Sequence, residues 1–131
     1  MKKFITDARG TCWRDAIGCI LEIRPAKVPD FLKLYNDNYI DETRKWLKEK
    51  LNKSIIFVPA NVFMETGVMK LNPPVGPSGF SIGLMNMIGE GNNHAVVCKD
   101  GMVYYDNGQE RSLEYNHLEG YFLIYDLEED K

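Results

Sequence analysis

The sequence predicts an α+β domain, with N-terminal helices packed on one face of a small antiparallel β-sheet. Three observations carry this. Apolar residues recur at helical spacing through the first third of the chain, at Cys12, Trp13, Ala16, Ile17, Cys19 and Ile20, and later at Phe31, Leu34, Tyr35, Trp46, Leu47 and Leu51. From residue 54 onward the period changes to short β-rich runs bounded by Gly, Pro and Asn. Helices that precede strands, without alternating with them, segregate into a separate layer.

The first helix begins at Gly10-Thr11, residues that end a loop and cap a helix, and it carries Cys12 in its opening turn. Arg14, Asp15 and Glu22 fall mostly off its apolar face. Arg24-Pro25 ends the helical register, because the residue before proline is pushed out of the α region. Asp30 is placed to cap a second helix, and Asn36-Asp37-Asn38 divides that stretch, with its latter part running from about Asp41 to Leu51. The charges at Glu42, Arg44, Lys45, Lys48, Glu49 and Lys50 read as a solvated face.

Five residues, 54–58, form a β-rich run stopped by Pro59. A Gly- and Pro-rich loop through residue 79 follows, and residues 67–79, with Asn61, Phe63 and Met64 ahead of them, are placed to wall a groove. The apolar run 80–88 is a buried strand. Residues 94–98 and 102–105 flank Asp100-Gly101, a hairpin signal. A last strand spans 121–125, so the strands are expected to be hairpin-linked.

Composition narrows the function. The 131 residues are 44% hydrophobic and 27% charged, which suits one globular domain over 1–131. A net charge of −3 with no basic stripe argues against a nucleic-acid surface. Three cysteines, at 12, 19 and 98, make an odd count without a CxxC pair, the pattern of a reduced, cytoplasmic protein. His94 and His117 have no metal-ligand spacing to each other or to the cysteines, so neither a metal nor a cofactor is expected. No apolar run reaches membrane-spanning length.

The residues able to do chemistry together are Cys12, His94 and Asp106. In a hairpin turning at Asp100-Gly101, residue 94 falls opposite about residue 107, which sets His94 beside Asp106 or Asn107. A carboxylate beside a histidine selects its tautomer and stabilises its imidazolium. With the helix tip at the same end of the sheet, the three make a thiol–imidazole–carboxylate triad suited to acyl transfer. Against this stands a plainer reading: a free cysteine is commonly a small core residue, and Asp106-Asn107-Gly108 is a turn signal. Cys19 and Cys98 belong to the core by their periodicity, and His117 to the surface.

The stretch GTCWRDAIGCILEIRPAKVPDF resembles the opening of papain-like cysteine peptidases, in particular small members from bacteria and their phages. Gly10, Thr11, Cys12, Trp13, Gly18, Ile20, Leu21, Val28, Pro29 and Phe31 carry the likeness. Gly76-Pro77-Ser78, Asn93-His94-Ala95-Val96-Val97, Asp100-Gly101 and Asp106 continue it. The resemblance implies a papain-like fold and a cysteine hydrolase of peptidase or amidase type. It makes Cys12 the nucleophile, His94 the general base and Asp106 the orienting residue, with Asn107 as the alternative. Trp13, Asn93 and Ser78 become the substrate-contact candidates, and the substrate a peptide or amide.

One departure stands out. Such peptidases commonly carry an oxyanion-binding glutamine several residues before the cysteine, whereas this chain has Thr6, Asp7, Ala8 and Arg9 there, and its only glutamine is Gln109. The Cys12 backbone N–H with Thr11 or Thr6 supplies the substitute donors, since an ionised Asp7 repels an oxyanion. The departure keeps a second class open: a catalytically weak or inactive relative, phage-encoded and acting in the host cytoplasm, that binds or inhibits a partner. Acyl transfer to an amine is a third.

Overall fold

The computed structural model describes residues 1–3, 12–60, 64–65, 68–69, 77–87, 93–105 and 116–127. Helix α1 spans Cys12–Leu21 and therefore begins on the cysteine. It ends in a Schellman turn: Glu22 adopts φ 59°, and the N–H groups of Glu22 and Ile23 return to the carbonyls of Cys19 (3.4 Å) and Gly18 (2.9 Å). The returning chain lies so close that a Cβ at Gly18 would sit 2.6 Å from the Ile23 carbonyl oxygen. A short 3-10 turn, Pro25–Lys27, follows.

Helix α2, Phe31–Tyr35, is opened by Asp30, whose Oδ1 accepts from the Lys33 N–H at 3.4 Å. A second 3-10 turn at Asn36–Asn38 divides it from α3, Tyr39–Leu51, so the break falls on the Asn-Asp-Asn signal. Helix α3 starts at Tyr39, two residues ahead of the expected Asp41. Its exposed charges pair along the helix, Arg44 with Asp41 and Lys45 with Glu42, both at 3.2 Å. Asn52, in the left-handed region, closes it.

Seven strands follow: β1 Lys53–Pro59, β2 Met64–Glu65, β3 Val68–Met69, β4 Phe80–Met87, β5 Asn93–Lys99, β6 Met102–Tyr105 and β7 Asn116–Asp126. The first of these and the last four form an antiparallel sheet in the order β1-β7-β4-β5-β6, while β2 and β3 pair with each other. The α+β class is therefore present. The hairpin-linked order is corrected in one respect: β7 inserts between β1 and β4, so within the five-stranded sheet β4-β5-β6 is the run of consecutive neighbours. The last strand is also longer than expected. Its first half contains Glu119 and Gly120, poor strand formers. Gly120 is held there because a Cβ would meet the Phe57 ring at 2.4 Å and the Val58 carbonyl at 2.8 Å. His117, expected on the surface, is a β7 residue opposite Asn86.

The helices cover one face of the sheet. Trp13, Ala16, Ile17 and Cys19 of α1 pack with Phe31, Leu47, Ile55, Ile82, Ala95, Val97 and Phe122 in one core. Val96, Cys98 and Tyr121 are buried on the opposite face, so β5 is enclosed on both sides. Each fully buried large apolar side chain contributes about 1.5–3 kcal/mol. Asp15 departs from expectation: it is 3% exposed, because α1 is buried from Asp15 through Cys19, with Arg14 beside it only partly exposed. Its Oδ1 lies 3.9 Å from Arg14 Nε.

Candidate active site

The first turn of α1 places Cys12 with its side chain partly buried against the core. Burial alone pushes a thiol's pKa up. Here the balance runs the other way and the Cys12 thiol lies below its ordinary value. A hydrogen bond with the His94 side chain, the backbone N–H of Ala95, the His94 charge and the backbone N–H of Trp13 together outweigh the burial. Each of these favours the thiolate. The structure thus brings together Cys12 and His94, residues far apart in the chain and joined only by the packing of α1 on β5.

His94 is the second residue of β5 and pairs across the sheet with Met85. The adjoining β4-β7 ladder shifts register between Leu84 and Met85, directly beside that partner. Bulges of this kind turn a strand and re-aim its side chains. The β5-β6 ladder shifts as well, between Val97 and Cys98, so Val97 rather than Val96 faces the last β6 residue, Tyr105. The register that set residue 94 opposite residue 107 is therefore changed by one along this hairpin. Asp106 and Asn107 lie outside the described residues, as do Thr6, Asp7, Thr11 and most of the 61–76 loop.

Trp13, adjacent to the thiol, is 2% exposed. Its Nε1–H donates to Thr43 Oγ1 at 3.0 Å, and that hydroxyl donates to the Tyr39 carbonyl at 2.7 Å. Its ring meets Tyr39 edge-on at 5.3 Å and Phe122 at 4.9 Å. Trp13 is consequently an internal anchor that braces the tip of α1 against α3 and β7, and the expected substrate contact is corrected. Ser78, another substrate-contact candidate, is exposed. It precedes β4 at the end where Phe80 pairs with Lys99, five residues along β5 from His94, or about 16 Å at strand rise. Gly79 is tied to that far end through Asp100, with N–H···Oδ1 at 2.8 Å and the reciprocal backbone bond at 2.9 Å. Asn93 opens β5 beside His94.

Three contributors to the site were not singled out in the sequence: the Ala95 N–H, Thr43 and Tyr39. A backbone donor leaves no mark in sequence, and Thr43 and Tyr39 read only as helix residues. Tyr39 is partly buried at the start of α3, and its phenol is pushed up by burial and then by the charge on Cys12. It is therefore a protonated hydroxyl within electrostatic reach of the sulfur. The other thiols differ. Cys19 is 1% exposed and Cys98 is fully buried, and burial pushes Cys98 up to about 12 despite the Gly83 N–H.

Among the described residues, no group of three or more His, Cys, Asp or Glu side chains is placed to hold a metal ion. No helix among them is long and apolar enough to cross a membrane. No family model, curated protein or solved structure matches the chain.

Proposed function

We propose that this protein is a papain-like cysteine hydrolase in which Cys12 and His94 are the reacting pair and the substrate is a peptide or amide. One observation carries the reading. The Cys12 thiol is hydrogen-bonded to His94 at a helix tip and is acidified although it is partly buried. A buried thiol without such partners rises instead, as Cys98 does.

The chemistry follows from the pair. The Cys12 thiolate attacks the amide carbon, and the carbonyl π electrons move to oxygen. As the tetrahedral species collapses, the C–N bond breaks and the His94 imidazolium delivers its proton to the departing amine. A thioester remains on Sγ. His94, now neutral, takes a proton from water, whose oxygen attacks the thioester carbon and returns Cys12 as thiolate. Asp106, or Asn107 in its place, is assigned the orienting role on the sequence pattern. A reducing compartment, such as a cytoplasm, suits a nucleophile that must stay unoxidised.

The test is acylation by p-nitrophenyl acetate. The expected result is a stoichiometric burst of p-nitrophenolate with the acetyl group on Cys12 by mass spectrometry, abolished in Cys12→Ala and lost with it in His94→Ala. A burst that survives Cys12→Ala, or no acylation of the native protein at all, overturns the reading; the latter outcome favours a binding or inhibitor protein.

A further inference from the structure

A hydrolase of this kind must hold the negative charge that forms on the carbonyl oxygen, and no glutamine stands among residues 1–11 ahead of Cys12. Preorganised donors at that position are commonly the largest single contribution to the rate. The donors around Cys12 are therefore informative. The Ala95 and Trp13 N–H groups are directed at the sulfur itself, which commits them to the resting thiolate. Among the described side chains, Tyr39 packs against Trp13, the residue after the thiol, and lies within electrostatic reach of Cys12.

We infer that the Tyr39 hydroxyl donates a hydrogen bond to the oxyanion that forms when Cys12 attacks a carbonyl, taking the position a glutamine occupies elsewhere. The inference rests on the cysteine-hydrolase reading.

Four features support it. Tyr39 opens α3 at the same end as the tip of α1, held there by its edge-on ring contact with Trp13 at 5.3 Å and 87°. Its backbone is fixed through the carbonyl that accepts from Thr43, which in turn accepts from Trp13, so the residue after the nucleophile and the tyrosine belong to one braced unit. Tyr39 is only partly buried, so its side chain is not sealed in the core. Its proton is retained at neutral pH, since both burial and the neighbouring thiolate disfavour phenolate. A fixed O–H beside a nucleophile, unable to ionise, is the type of donor that stabilises a developing alkoxide without reorganising.

Two probes separate this role from thiol activation. Iodoacetamide alkylation requires the thiolate but forms no oxyanion, whereas p-nitrophenyl acetate acylation requires both. In Tyr39→Phe, which keeps the ring against Trp13, the acylation rate should fall about a hundred- to a thousandfold. The alkylation rate of Cys12 and its pH midpoint should stay as in the native protein. A fluorinated tyrosine at position 39, which retains the hydroxyl, should keep acylation. Unchanged acylation in Tyr39→Phe overturns the inference. So does a parallel fall in both reactions with a raised midpoint, because Tyr39 would then act on the thiolate. Native protein that alkylates but never acylates refutes the hydrolase reading itself, before Tyr39 is altered.

Discussion

Cys12 and Cys98 are both shielded from water, yet their acidities move in opposite directions. For each, burial is the largest influence and acts upward. Cys98 sits within β5 among Val96 and Tyr121, where strand neighbours use their N–H groups in the ladder and only Gly83 offers one to the sulfur. Cys12 sits where a helix begins and a strand begins. Helix starts leave N–H groups without intrahelical partners, and a strand end supplied the Ala95 N–H and the His94 side chain. Burial thus acts upward on both thiols, partly enclosing Cys12 and fully enclosing Cys98, and the donors aimed at the Cys12 sulfur decide which becomes reactive.

The largest expected effect is the labelling contrast between them. With a pKa of about 12, roughly 10⁻⁵ of Cys98 is thiolate at pH ~7, each unit being a factor of ten. Cys12, with a lowered pKa, remains partly thiolate below the ordinary thiol range, so its reactivity persists as pH falls. Iodoacetamide at pH ~6 should modify Cys12 of the native protein while Cys19 and Cys98 react only after unfolding, as peptide mapping would reveal. Uniform, slow labelling of all three would erase the comparison.

A smaller but sharper effect comes from removing one donor. His94→Ala deletes both the side-chain hydrogen bond and the charge, leaving burial against the two backbone N–H groups. The alkylation midpoint of Cys12 should move upward, toward Cys98, and its labelling at pH ~6 should slow. A midpoint that does not move would show that the backbone donors alone acidify the thiol.

The smallest effect concerns the brace. Trp13→Phe keeps the ring contacts but removes the bond to Thr43, whose side chain is fully buried. Urea unfolding should show a loss of about 1–2 kcal/mol, with Cys12 still the preferred thiol. No change in stability would mean that packing alone holds the helix tip.

Much of this was legible beforehand, and particular residues show why. The start of α1 at Cys12, the break at Asn36–Asn38 and the hairpin at Asp100-Gly101 were announced by capping and turn chemistry, which acts within a few residues. Asp15, the first half of β7 and the insertion of β7 beside β4 were not. Each depends on what a distant segment supplies: an enclosing layer around α1, the Phe57 ring over Gly120, a partner strand. Trp13 shows the same limit in reverse, since its place beside the nucleophile says nothing of whether its ring faces substrate or core.

By itself the sequence determined the helix-then-strand order, the strand-forming runs and the identity of the thiol and the imidazole, because periodicity, propensity and side-chain chemistry are local properties. Only the tertiary structure decided that Cys12 and His94 meet and that Tyr39 packs against Trp13, the residue after the thiol. Those contacts depend on the packing of α1 against β5 and α3, and the thiol's acidity is a sum over groups drawn from α1 and β5.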